Sequence, residues 1–167
     1  MARQLTTVQP LPPGDHGPMF RASPGLWLPQ SRPSGPDQWQ VRLRVGGVSR
    51  LVRCLVGDPW TTRDGVQRRL RWTPLSEERD VLPVERLLPT LDGELLLVGP
   101  TATPSLVLNG EVDVPFGVLG DAVDAVVLGR VANRTAAAFL KDVGHGLEDT
   151  EVVDLTQTEG SGTHQRN

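Results

Sequence analysis

The 167-residue chain is short of several residue types, and each shortage closes off a class of answer. Its single cysteine, Cys54, makes an internal disulfide impossible, and with it a zinc centre built on paired cysteines. It has no tyrosine, and aromatic residues make up only 4% of it. No run of about 18 apolar residues is present to span a bilayer, and the first residues lack the apolar stretch of a signal peptide. These shortages predict a soluble, intracellular protein with no membrane role. The three histidines, His16, His145 and His164, have no ligand spacing. No Gly-rich phosphate loop, nucleophile elbow or dinucleotide fingerprint is present. The expectation is a non-enzymatic chain with no catalytic residues, no metal and no cofactor.

What is abundant is unevenly placed. Residues 1 to 38 sum to +1, residues 39 to 75 to +6 and residues 76 to 167 to −10, giving the overall −3. An Arg-rich middle before an acidic end suggests partners of opposite sign. One lysine against sixteen arginines also fits a GC-rich coding bias, which raises arginine without functional cause.

Eight of the fifteen prolines fall in residues 1 to 38, so this part reads as a mostly irregular N-terminal arm. Phe20, Leu26, Trp27 and Leu28 are exceptions in it, suited to packing on the body or on a partner. From Trp39 the chain alternates: Trp39, Val41, Leu43 and Val45 share one face, and Gln40, Arg42 and Arg44 the other. Gly46-Gly47 closes a hairpin that sets Val45 opposite Val48, Val41 opposite Val52 and Trp39 opposite Cys54. A three-residue loop at Arg63, Asp64 and Gly65 keeps Leu70 and Trp72 on the core face, with Val56 opposite Trp72. Cys54 then reads as a small buried hydrophobe. Arg42, Arg44, Arg53, Arg69 and Arg71 form a basic outer face with Trp60 in the nearby loop, a candidate surface for single-stranded nucleic acid. A solvated or protein-contacting face explains the same residues.

Further on, Ser76 caps a short helix that presents Val84, Leu87 and Leu88 to the core. Glu94 to Val98 reads as a strand, and Ser105 to Leu108 with Glu111 to Val114 as a second hairpin turning at Asn109-Gly110. In Asp121 to Val143, Val126, Val127 and Leu128 favour a strand, whereas Thr135, three alanines, Phe139 and Leu140 favour a C-terminal helix closed by Gly144; the helix is the reading over most of the segment, weakened at Gly129. This order, mainly β with one short helix between the third and fourth strands and a C-terminal helix, resembles an OB-fold, a small β-barrel, over residues 39 to 143. Residues 144 to 167 follow as an acidic flexible tail.

Within that tail, residues 148 to 159 read Glu-Asp-Thr-Glu-Val-Val-Asp-Leu-Thr-Gln-Thr-Glu. The segment resembles a SUMO-interacting motif. The resemblance implies that Val152, Val153, Asp154 and Leu155 add as a strand to the SUMO sheet, with Glu148, Asp149 and Glu151 facing basic residues beside its groove. Taken together, these readings point to a nuclear adaptor: a subunit of a DNA-maintenance complex, active in DNA repair. It would bind protein partners, SUMO or a SUMO-modified protein, and single-stranded DNA. The alternatives are a structural or assembly subunit without nucleic-acid binding and a bacterial β-barrel protein whose tail match is accidental.

Overall fold

The computed structural model describes residues 2–45, 48–75, 88–113 and 123–157. Its elements are β1 (Ala2–Pro10), α1 (Gly17–Arg21), a 3-10 turn (Pro24–Leu26), β2 (Arg32–Gly35), β3 (Gln38–Val45) and β4 (Val48–Val56). They continue with β5 (Trp60–Thr61), β6 (Gly65–Pro74), β7 (Thr90–Val98), β8 (Ser105–Asp113) and α2 (Val123–Gln157). All strand pairs are antiparallel, in the order β1-β8-β7-β6-β4-β3-β2, with β5 paired to β6.

Alternation decides which way each strand faces. Val41 and Leu43 of β3, Val52, Cys54 and Val56 of β4, Leu70 and Trp72 of β6, Leu91 and Leu95 of β7, and Leu106, Leu108 and Val112 of β8 are all buried. Their neighbours in sequence point outward. The helix α2 answers this face with a stripe at helical spacing: Ala132, Ala136, Phe139, Leu140, Val143 and Leu147. Phe139 meets Trp72 edge-on, ring centres 5.4 Å apart, and Trp72 Nε1 donates to the Pro89 carbonyl at 3.0 Å.

The sheet is curved, as a distance argument shows. The helix touches both β1 and β3, which are separated by β8, β7, β6 and β4. Five inter-strand steps laid flat would cover roughly 24 Å, twice the width of one helix, so the sheet must wrap around α2. Gly93 and Gly110 face each other within it. A Cβ on Gly93 would run into the Asn109 carbonyl, and one on Gly110 would lie 2.8 Å from the Asp92 carbonyl oxygen. The pair lets two backbones approach where side chains would hold them apart.

Several expectations are corrected here. The fold is mainly β with a C-terminal helix, but the sheet is not an OB barrel: its path has two separate ends, β1 and β2, among the described residues. Residues 1 to 38 are not an irregular arm, because β1 pairs with β8 along nine residues. Phe20, Trp27 and Leu28 do pack on the body, being 0%, 1% and 4% exposed, whereas Leu26 is exposed. The β3–β4 register is the expected one, Trp39 opposite Cys54 and Val41 opposite Val52. The β4–β6 parity is also as expected, but the pairing is offset by two residues, with Val56 opposite Leu70 and Cys54 opposite Trp72. The physical reason is β5, which forms its own hairpin with β6 and takes up the chain that a tight loop was expected to close.

Asn109-Gly110 is no turn but the middle of β8, held by β1 on one side and β7 on the other. Gly144 does not end α2 either. It sits 3.0 Å from Leu11 Cδ2 when given a Cβ, and a Cβ on Gly146 would strike the Trp27 carbonyl. Both glycines serve close packing, so the helix runs on to Gln157. The helix expected after Ser76, with Val84 and Leu87, lies outside the described residues, and Leu88 beside it is buried.

Candidate ligand-binding site

Position parity on β6 turns Val66, Arg68, Leu70 and Trp72 toward the helix side, so an arginine enters an otherwise apolar layer. Arg68 is only 4% exposed. Its neighbours come from the first part of the chain. Arg68 Nη2 donates to the Arg21 carbonyl at 3.2 Å, and the guanidinium carbon lies 5.6 Å from the centre of the Trp27 ring. Trp27 in turn packs on Phe20, ring centres 5.5 Å apart. The cation is thus held by a ring face and one carbonyl.

That leaves donors over. Arg68 Nε, Arg68 Nη1 and Trp27 Nε1 are buried with no hydrogen-bond partner among the described residues. Burial pushes the Arg68 guanidinium below its ordinary pKa, while the negative charges of Asp58 and Asp37 act in the opposite sense. All three unmatched atoms are donors only. A water molecule accepts at most two hydrogen bonds and needs acceptors for its own protons, so this cluster suits an acceptor-rich group better.

His16, 4% exposed, donates from Nε2 to the Pro12 carbonyl at 2.9 Å. The Cys54 thiol is wholly buried and is pushed up to about 12, so it is neither nucleophile nor ligand at neutral pH. No group of three His, Cys, Asp or Glu side chains among the described residues is placed to hold a metal.

The residues singled out from sequence are distributed differently. Arg42, Arg44, Arg53, Arg69 and Arg71 are all exposed on the outer sheet face, as the alternation required. They do not make one surface. Arg69 and Arg71 share Asp92, at 3.3 and 4.0 Å, and Arg69 lines a broad hollow with the half-exposed Trp60. Arg42 and Arg44 line a different hollow beside α2. Arg68 was missed because a basic residue invites assignment to the outer face. The signal was available in its parity with Leu70 and Trp72.

No family model and no curated protein matches the chain. Solved structures do. A START superfamily protein from Mycobacterium smegmatis superposes with a TM-score of 0.53 at 11% identity, covering 88% of this chain and 98% of that one. A protein of Thermus thermophilus gives 0.52 at 9% identity, covering 90% and 99%. An aromatase/cyclase from a Streptomyces species gives 0.54 at 12% identity, covering 98% and 100%. The chain has the START-like fold. At these identities the likeness concerns the fold alone.

This finding overturns the nuclear DNA-maintenance adaptor. That reading stood on an OB barrel and an extended SUMO-binding tail, whereas among the described residues the sheet path keeps two separate ends and residues 148–157 are helical. The fold is START-like, shared with proteins of three bacteria. Val152, Val153, Asp154 and Leu155, with Glu148, Asp149 and Glu151, belong to α2. A helix has its backbone groups occupied internally and offers no strand to a partner sheet. The nuclear, SUMO-binding and DNA-repair roles are therefore withdrawn.

Proposed function

We propose that the chain binds a small, mainly apolar molecule bearing a carboxylate or carbonyl oxygen, held beside Arg68 and Trp27 between the curved sheet and α2. The observation that carries this reading is the cluster of three buried donors without acceptors. A carboxylate would accept from Arg68 Nε and Nη1 together, in the side-on two-bond geometry available to guanidinium. The apolar remainder would lie among the leucines and aromatic rings of the same layer. The fold neighbours support it in kind: one is named as a START superfamily protein and another as an aromatase/cyclase. The expectation of a non-enzymatic chain rested on motifs, and a lone buried cation of this sort belongs to no motif.

The test is titration with 1-naphthoate, and with naphthalene as the analogue lacking an acceptor, followed by thermal shift and by the Arg68 side-chain NMR resonances. Binding of the acid is expected to be lost in Arg68→Met and to move the Arg68 Nε–H signal. Equal binding of both compounds, or unchanged affinity in the variant, refutes the reading.

A further inference from the structure

A second site lies on the face of the sheet turned away from α2, and it is independent of the reading above. On this outer face the strand registers set side chains in rows across the strands. One row runs Gln4, Glu111, Asp92 and Arg71, and the next includes Asn109, Glu94 and Arg69. Between these rows lies the backbone of Gly93 and Gly110, the floor of a hollow of about 690 Å³. Trp60 of β5 bounds the hollow at one end and Gln4 of β1 at the other. Four inter-strand steps separate the two strands, roughly 19 Å, which is room for more than one small ring.

The indole at the β5 end stands apart from the other large rings. Trp60 is 42% exposed, whereas Trp27 and Trp72 are each 1% exposed. It is nevertheless held in place. Trp60 pairs with Gln67 and Thr61 with Val66, and the Thr62 N–H donates to the Gly65 carbonyl at 2.8 Å. The ring is thus a fixed apolar platform presented to solvent. Opposite it on the same face, Gln67 is only 9% exposed, yet its side-chain amide makes no hydrogen bond among the described residues. A nearly buried amide left without a partner is costly, and a ligand resting beside Trp60 can supply one.

The polar groups of the hollow decide what kind of ligand fits. Arg69 Nη2 meets Asp92 Oδ1 at 3.3 Å, Arg71 Nε lies 4.0 Å from Oδ2, and Gln4 Nε2 donates to Glu111 Oε1 at 2.8 Å. Charge is therefore largely matched within these rows. Glu94 and Asn109 stand opposite each other with no side-chain hydrogen bond among the described residues. The carboxylate offers acceptors only, while the amide offers donors and acceptors together. An ion of either sign would meet partners already engaged. A hydroxyl group, which donates once and accepts twice, is suited to such a mixture.

We infer that this hollow binds a neutral pyranose saccharide of two or more rings, one ring stacked on Trp60 and the hydroxyls of the next shared between Glu94 and Asn109. A pyranose has a face of C–H bonds that lies flat on the negative face of an indole. Its rim of hydroxyls pairs with planar amide and carboxylate groups. Between Trp60 and Gln4 the side chains lining the hollow are all planar and polar, so the site takes a polyhydroxylated ligand rather than an apolar one.

The experiment is NMR titration of the ¹⁵N-labelled full chain with cellobiose, a disaccharide of two flat glucose rings, with glycerol and spermidine as comparators. Saturable shifts are expected in the Trp60 indole N–H, assigned from Trp60→Phe, and in the backbone amides of residues 92–94 and 109–111. Trp60→Ala and Glu94→Ala should each weaken binding about fivefold or more, the scale of one aromatic contact or one charge-assisted hydrogen bond. Both side chains are exposed, so these variants keep the fold. Arg53→Ala, on the same face but outside the hollow, should leave binding within about twofold. Arg68→Met should also retain cellobiose binding, and saturating 1-naphthoate should not displace the sugar, so that either site can fail without the other. No saturable shift, equal affinity for glycerol, tighter binding of spermidine, undiminished binding in Trp60→Ala, equal weakening by Arg53→Ala, or loss of binding in Arg68→Met would each overturn the inference.

Discussion

Replacing Arg68 by methionine is expected to leave the unliganded protein as stable as before or more so, although the residue is 4% exposed and in the core. The reasoning is a balance of terms at one side chain. Two guanidinium donors, Nε and Nη1, lie buried without acceptors, and each such group costs about 1–3 kcal/mol. Against this stand the Nη2 bond to the Arg21 carbonyl at 3.2 Å and the contact with the Trp27 ring at 5.6 Å. These contribute about 1.5–3 and about 0.5–2 kcal/mol. The two sides nearly cancel, and methionine adds an apolar chain of similar reach. Exchanging a buried ion for a well-packed hydrophobe is commonly neutral or stabilising by about 1–4 kcal/mol. The expected change is therefore from zero to about 3 kcal/mol in favour of Arg68→Met, or a midpoint rise of up to about 10 °C at this chain length. Urea unfolding and thermal melts of the two proteins without ligand measure it. Arg68→Ala is the control, expected to be less stable than Arg68→Met by about 2 kcal/mol because it leaves a cavity. A loss of more than about 2 kcal/mol in Arg68→Met would refute the reasoning, since the donors would then have to be satisfied in the empty protein. The same variant should fail to bind 1-naphthoate, so stability and binding move in opposite directions.

Four other outcomes follow from particular contacts. Gly146→Ala should destabilise by about 1–3 kcal/mol in urea, because the new methyl meets the Trp27 carbonyl. A helix-propensity gain of about 1 kcal/mol instead would mean that α2 does not approach that carbonyl. Gly93→Ala should cost about 2–3 kcal/mol, whereas Gly35→Ala, whose Cβ has no neighbour nearer than 3.5 Å, should be close to neutral in the same assay. Cys54, raised from 9.0 to about 12, keeps its proton in the folded state after the unfolded chain has lost it. Its contribution is complete below pH 9 and falls by about 1.4 kcal/mol per pH unit above it, toward 12. With no tyrosine and one lysine the alkaline background is small, so urea midpoints at pH 8 and 10 in wild type and Cys54→Ala should differ in slope. Finally, ¹³Cα shifts of residues 148–157 should be helical throughout, and extended values over Val152 to Leu155 would contradict the course of α2.

Legibility in the sequence followed the range of the forces involved. The β3–β4 hairpin was readable to the residue, because a Gly-Gly loop and strict alternation fix a register within one local unit. The inward parity of Leu70 and Trp72 was readable for the same reason, although their exact partners depended on β5, a two-residue strand without a pattern of its own. Asn109-Gly110 misled because the same glycine serves a turn or a close pair of strands, and only Gly93 opposite it decides which. Gly144 and Gly146 misled in the same way, their purpose lying in Leu11 and Trp27, more than a hundred residues earlier. Arg68 was the costliest omission, since its parity was visible but its surroundings were not.

By itself the sequence determined the exclusion of an internal disulfide, the alternating strands and the side each arginine would take, consequences of a single cysteine and of a period of two residues. Tertiary structure alone decided that β1 joins the sheet, that α2 runs through its glycines to Gln157, and that Arg68 stands beside Trp27. The reason is the same for each: these features are contacts between distant segments, and a buried donor without an acceptor exists only once the chain has closed around it.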